Sequence, residues 1–108
     1  GRGYDHNWIV AKDVADHLRL MARVLDPVSG RVMEVHSNQP GLQFYSGNFL
    51  DGSSVGKGGR MIRMGDAIVL EPQQFPDTVN HPEFGSVRLE PGQVYRNVIA
   101  WRFGVERN

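Results

Sequence analysis

Ile68 to Pro82 reads I-V-L-E-P-Q-Q-F-P-D-T-V-N-H-P, and the reading of the rest of the chain turns on it. Ile68, Val69 and Leu70 form a short apolar run of strand character, and Pro72 marks where ladder pairing should stop. Glu71 is thus expected at a strand end. Pro72, Pro76 and Pro82 fix φ and remove three backbone donors, so the segment up to Phe84 is expected to be a stiff, non-repetitive loop. Within it, Phe75 is expected to anchor the loop in the core. Asp77 and Asn80 should bond to backbone groups, and His81, before Pro82, is read as structural. An acid held at a rigid strand end is well placed for proton chemistry. Taken alone, Glu71 fits a solvated strand-end charge.

Downstream, Pro91 and Gly92 supply a turn. Beyond it Tyr95, Ile99, Trp101, Phe103 and Val105 alternate with Arg96, Val98, Ala100 and Arg102, which predicts a strand. Upstream, D-G-S-S-V-G-K-G-G-R at Asp51 to Arg60 has four glycines and no apolar period, and reads as a mobile surface loop. It lacks the G-x-x-x-x-G-K-[ST] pattern and a following helix, which argues against a phosphate loop. Leu42 to Tyr45 reads as a strand introduced by Gln39 and Pro40 and closed by Gly47, with Gln43 an outward-facing strand residue and Asn48 and Asp51 in turns. Phe44, Tyr45 and Phe49 fit either core or a platform for the C–H face of a sugar.

Asp13 to Leu25 fits two patterns. Val14, Leu18, Met21 and Leu25 recur at helical spacing behind an N-cap at Asp13, while from Leu18 onward strict alternation also holds. The turn chemistry of D-P-V-S-G, Asp26 to Gly30, and the alternation from Arg31 to Ser37 make a β-hairpin the reading that explains both halves. His17 and His36 are expected to face solvent. Gly1 to Trp8 is polar and glycine-rich, so Asp5 and His6 are expected at a loop end ahead of the run Trp8, Ile9, Val10. On residue chemistry alone Asp5 fits an Asx-turn or cap and His6 a packed structural residue.

Composition bounds the function classes. The 108 residues are expected to form a single β-rich domain, 1–108, able to bury roughly 60 to 70% of its unfolded surface. Twelve basic and twelve acidic residues give zero formal charge without runs, so no electrostatic footprint for nucleic acid or an anionic membrane is present. No apolar stretch reaches membrane-spanning length. With no cysteine, disulfides and thiolate chemistry are excluded and the compartment stays open. Thirteen glycines and six prolines suit an all-β chain rich in turns.

The run L-E-P-Q-Q-F-P-D-T-V-N-H-P-E-F, from Leu70 to Phe84, resembles the C-terminal signature of the aldose 1-epimerases, or galactose mutarotases. G-Y-D-H-N-W at Gly3 to Trp8, Q-P-G-L-Q-F-Y-S-G-N-F-L-D-G at Gln39 to Gly52 and L-E-P-G-Q-V-Y at Leu89 to Tyr95 match the same family in the same order. The resemblance implies an all-β, antiparallel β-sandwich, of which this chain would be the C-terminal part. It also implies interconversion of the α and β anomers of an aldohexose such as galactose or glucose, without cofactor or metal. Glu71 would be the catalytic base, and Asp5 and Gln43 would bind the sugar. A carboxylate accepts hydroxyl protons strongly, and an amide offers both donors and an acceptor to neighbouring hydroxyls. The family's histidine acid, its second sugar-binding histidine and its arginine would lie upstream, since His6, His17, His36 and His81 match none of their motifs. Two consequences follow from the resemblance: partial catalytic machinery, and association as a homo-oligomer or with the upstream part of the fold. A non-catalytic carbohydrate-binding module or an interaction subunit is the alternative expectation.

Overall fold

The computed structural model describes residues 2–107; Gly1 and Asn108 lie outside the described residues. Among the described residues eight strands run in the order β1 (Asp5–Ile9), β2 (Arg19–Leu25), β3 (Arg31–Ser37), β4 (Gly41–Tyr45), β5 (Asp51–Val55), β6 (Met61–Arg63), β7 (Val69–Gln73) and β8 (Ile99–Val105). They form three antiparallel sheets, β1-β4-β7, β2-β3-β8 and the two-stranded β5-β6. The only helical turns described are two 3₁₀ segments, Thr78–Asn80 and Pro82–Phe84. The chain is all-β, as its glycines and prolines led one to expect.

The D-P-V-S-G turn builds the β2-β3 hairpin through its own side chains. Asp26 accepts from the Val28 amide at 3.1 Å, and Gly30 supplies the left-handed φ of 75° that lets its amide donate to the Asp26 carbonyl at 2.8 Å. The helical alternative for Asp13–Leu25 is thereby set aside. Strict alternation also fails in one place. The register shifts between Leu20 and Ala22, and the bulged Met21 turns inward while Leu20 is left exposed.

Four boundaries differ from expectation. Asp5 and His6 lie within β1 and not ahead of it. Pro72 does not end β7: it is buried, opposite Leu42, and is tolerated because β7 is an edge strand of its sheet, with Glu71 at mid-strand. The glycine-rich Asp51–Arg60 segment is half strand. Its β5 pairs with β6 across a turn in which Gly58 and Gly59 take φ of 87° and 76°. Tyr95 to Val98 likewise precede β8 and are not part of it.

A buried polar node joins β3 to β4. Gln39 is fully buried, donates from Nε2 to Asn38 Oδ1 at 3.0 Å and accepts from the Tyr95 hydroxyl at 2.9 Å. Asn38 Oδ1 also accepts from the Val98 amide, its Nδ2 donates to the Arg96 carbonyl, and Arg19 Nη2 donates to the carbonyls of both Asn38 and Gln39. Every one of these bonds holds the backbone that delivers β4. On the far side, Phe75 is buried and its carbonyl accepts from Thr78 Oγ1 at 2.6 Å, which pins the loop after β7 as expected.

The core is much smaller than the chain length led one to expect. Among the described residues the buried apolar side chains are Met21, Val35, Leu42 and Phe75. The accessible surface is 8338 Å² for a 12.1 kDa chain, against about 6000 Å² for a compact monomer of that mass. The radius of gyration is 16.8 Å, against about 13 Å for a compact domain. Ile99, Trp101, Phe103 and Val105 alternate onto the same face of β8, and all four are exposed.

Candidate functional site

Directly opposed residues of an antiparallel pair share a face, and residues two apart along a strand return to it. Gln43 stands opposite Asn7 of β1 on one side and Glu71 of β7 on the other; Tyr45 stands between Asp5 and Val69, and Gly41 between Ile9 and Gln73. Asp5, Asn7, Gln43, Glu71 and Gln73 therefore lie on one face of the β1-β4-β7 sheet. His6, Trp8, Leu42, Phe44, Leu70 and Pro72 occupy the other, where Leu42 and Pro72 are buried.

The polar face is wired. Gln43 Nε2 donates to Asp5 Oδ1 at 2.8 Å, and Gln73 Nε2 donates to Gln43 Oε1 at 3.3 Å and to Asn7 Oδ1 at 3.1 Å. The three residues singled out in the sequence are thus brought onto one face, Asp5 and Gln43 in direct contact and Glu71 in register with Gln43. Asn7 and Gln73 were missed, although the two-residue period from Asp5 and from Glu71 points to both. Of the twelve acids, only Asp13 and Glu71 have a side chain with neither a hydrogen bond nor an ion pair among the described residues. Glu71 is exposed, so its lone pairs face solvent on the polar face.

The other charges are held elsewhere. His36 Nε2 is 3.0 Å from Glu34 in the β2-β3-β8 sheet and is only 16% exposed, so it is not the solvent-facing residue expected. The His36 bond holds the Glu34 carboxyl below its usual range, with burial opposing and Arg102 and Arg23 assisting. His81 lies between Asp77, at 3.2 Å, and Glu83, at 3.1 Å; Asp77 and Asn80 bond to each other, not to backbone. His17 is exposed beside Asp16. His6 accepts the Asp5 amide at Nδ1 and meets Tyr4 edge-on at 5.9 Å, exposed and not packed. No group of three or more potential metal ligands occurs among the described residues. Among the described residues no helix is long and apolar enough to cross a membrane.

Fold and face together define an antiparallel β protein that presents a row of carboxylates and amides, the donor and acceptor mix that matches a polyol. Residues 1–102 match the family model described as aldose 1-epimerase, and the chain belongs to that family. It is 44% identical over 103 residues to the galactose mutarotase of Homo sapiens and 41% identical over 103 residues to that of Rattus norvegicus, in each case covering 95% of this chain and 30% of the relative. With the aldose 1-epimerase of Escherichia coli it shares 32% identity over 107 residues, 97% of this chain and 30% of the relative. The chain therefore spans about 30% of the length of these relatives.

Proposed function

We propose that the chain supplies the base and part of the sugar-binding surface of an aldose 1-epimerase acting on aldohexoses such as galactose and glucose. The observation that carries the reading is the common face of Asp5, Gln43 and Glu71, with Glu71 free of partners among the described residues while Asp5 and Gln43 are bonded to each other. In this reading Glu71 takes the proton from the C1 hydroxyl while an imidazolium protonates the ring oxygen. The C1–O5 bond breaks, the open aldehyde turns about C1–C2, and reclosure with both protons returned gives the other anomer. Asp5 accepts sugar hydroxyls with Oδ2, its Oδ1 being held by Gln43.

The four histidines of the chain do not offer the acid. His36 and His81 are paired with carboxylates outside the polar face, His17 is paired with Asp16, and His6 alternates to the opposite face from Asp5. A second polypeptide segment is therefore part of the proposal. The exposed face of Ile99, Trp101, Phe103 and Val105 favours such an association, as an assembly of identical chains or with the remainder of a family-length fold. The surface excess of about 2300 Å² over a compact monomer exceeds the roughly 800 Å² per partner of a standard interface. Polarimetric decay of freshly dissolved α-galactose tests the reading, measured with the chain alone and with the upstream portion of a relative added. Acceleration that requires both supports it; no acceleration in either mixture, with sugar failing to bind, overturns it.

A further inference from the structure

Asn7 and Gln73 stand on the two outer strands of a three-stranded sheet, yet their side chains meet at 3.1 Å. They can do so because the residue between them on β4 is Gly41. A Cβ there would lie 2.8 Å from Asn7 Oδ1, 3.0 Å from the Gln73 carbonyl and 3.1 Å from the Phe75 ring. The bridge over this gap fixes the direction of the Gln73 amide, and counting donors shows what that direction does. A primary amide has two N–H donors. Those of Gln73 go to Asn7 Oδ1 and Gln43 Oε1, so its nitrogen has none left for a ligand. Gln43 spends one N–H on Asp5 and one carbonyl lone pair on Gln73, and keeps one donor and one acceptor. The reverse orientation of Gln43 would set its carbonyl against the Asp5 carboxylate, two acceptors without a proton between them.

We propose that Gln73, braced by Asn7 across Gly41, is a positioning residue: it orients the Gln43 amide, and through it the Asp5 carboxylate, so that a fixed pattern of one donor and adjacent acceptors meets the hydroxyls of the sugar. The sugar half of this rests on the reading given above; the orienting half does not. The isosteric substitution Gln73→Glu replaces the donating nitrogen by a second acceptor at neutral pH, and draws the Gln43 amide nitrogen away from Asp5. Asn7→Ala removes the brace with less disturbance of the strand, and serves if Gln73→Glu fails to fold.

The experiment is ¹H–¹⁵N NMR at neutral pH of the chain and both variants, each compared with its own Asp5→Ala counterpart, following the Gln43 side-chain amide pair and, separately, galactose addition in the presence of the upstream portion of a relative. In the wild type the Gln43 pair should shift when the Asp5 carboxylate is removed, because Gln43 Nε2 donates to it. In Gln73→Glu that response should collapse, with backbone dispersion retained, and the galactose Kd should rise about fivefold, the loss of one hydrogen bond of about 1 kcal/mol. A Gln43 pair that responds to Asp5→Ala equally well in Gln73→Glu and Asn7→Ala would overturn the proposal. Collapse of the response, with no galactose bound even when the upstream portion of a relative is added, would support the orienting role and overturn the sugar reading.

Discussion

Replacing Glu71 by Gln separates the proposed proton transfer from any other part Glu71 plays. Glu71 lies at the middle of β7 opposite Gln43, is exposed, and makes no side-chain hydrogen bond or ion pair among the described residues. The amide has the same shape, so neither pairing register nor packing should change, and stability should stay within about 0.5 kcal/mol of the wild type. Sugar binding should also survive. An amide still accepts one hydroxyl hydrogen bond, and losing the charge should weaken galactose by no more than about tenfold, or 1.4 kcal/mol. Turnover is another matter. A general base contributes about 10² to 10⁴ in rate, or roughly 2.7 to 5.4 kcal/mol of barrier, and Gln43 and Asp5 beside it are already bonded to each other. The assay is polarimetric decay of α-galactose in the mixture that shows wild-type acceleration, with the Kd measured in parallel by NMR. Retention of more than a tenth of the wild-type rate by Glu71→Gln would place the base elsewhere and refute the argument.

Two further outcomes test the scaffold, and a third its exposed face. Val35 is fully buried, so Val35→Ala should cost about 2 kcal/mol in urea unfolding, while Val28→Ala, at a residue 94% exposed, should cost nearly nothing. The Asp26 carboxyl is held below its usual range, first by the Ser29 hydroxyl and then by the Val28 amide. Its contribution to the β2-β3 turn is complete above the ordinary aspartate pKa and is lost as pH falls through the depressed one. Hydrogen exchange at Val28 and Gly30 should accelerate in that acid window in the wild type and show no such inflection in Asp26→Ala. Substituting Trp101→Glu places a charge on the exposed apolar face of β8, and should shift association, read by native mass spectrometry across a concentration series, toward the single chain; unchanged assembly would mean that this face is not the one covered.

The parts of the fold legible in the sequence are those specified by near neighbours. The β2-β3 hairpin could be read because Asp26, Ser29 and Gly30 build its turn within five residues, and the Phe75 anchor because the surrounding prolines leave the loop few alternatives. The β5-β6 hairpin was passed over because Ser53 and Ser54 give no apolar period, yet Gly58 and Gly59 between two short runs, both at positive φ, were the available signal. Met21 could not be foreseen as an inward bulge, since a register shift of one residue depends on the partner strand. The site was legible only through resemblance. Asp5 and Gln43 are 38 positions apart, and no local pattern states that β1 and β7 flank β4. Once β4 is known to lie between them, strand alternation supplies Asn7 and Gln73 at once.

The site and the buried side of its sheet are two consequences of one register. Leu42 opposite Pro72 is buried on one face, and Gln43 opposite Glu71, one residue along, is presented on the other. A slip of a single residue would turn Leu42 into the polar face and bury Gln43 without its partners, which costs an unsatisfied amide as well as lost apolar burial. The apolar residues of β4 and β7 therefore hold the site in place although none of them is part of its polar face. Gly41 extends the same logic: its missing side chain is neither core nor ligand contact, but the space across which the outer strands join their amides above the central one. What holds Glu71 beside Gln43 is thus the register of a sheet whose own core is slight.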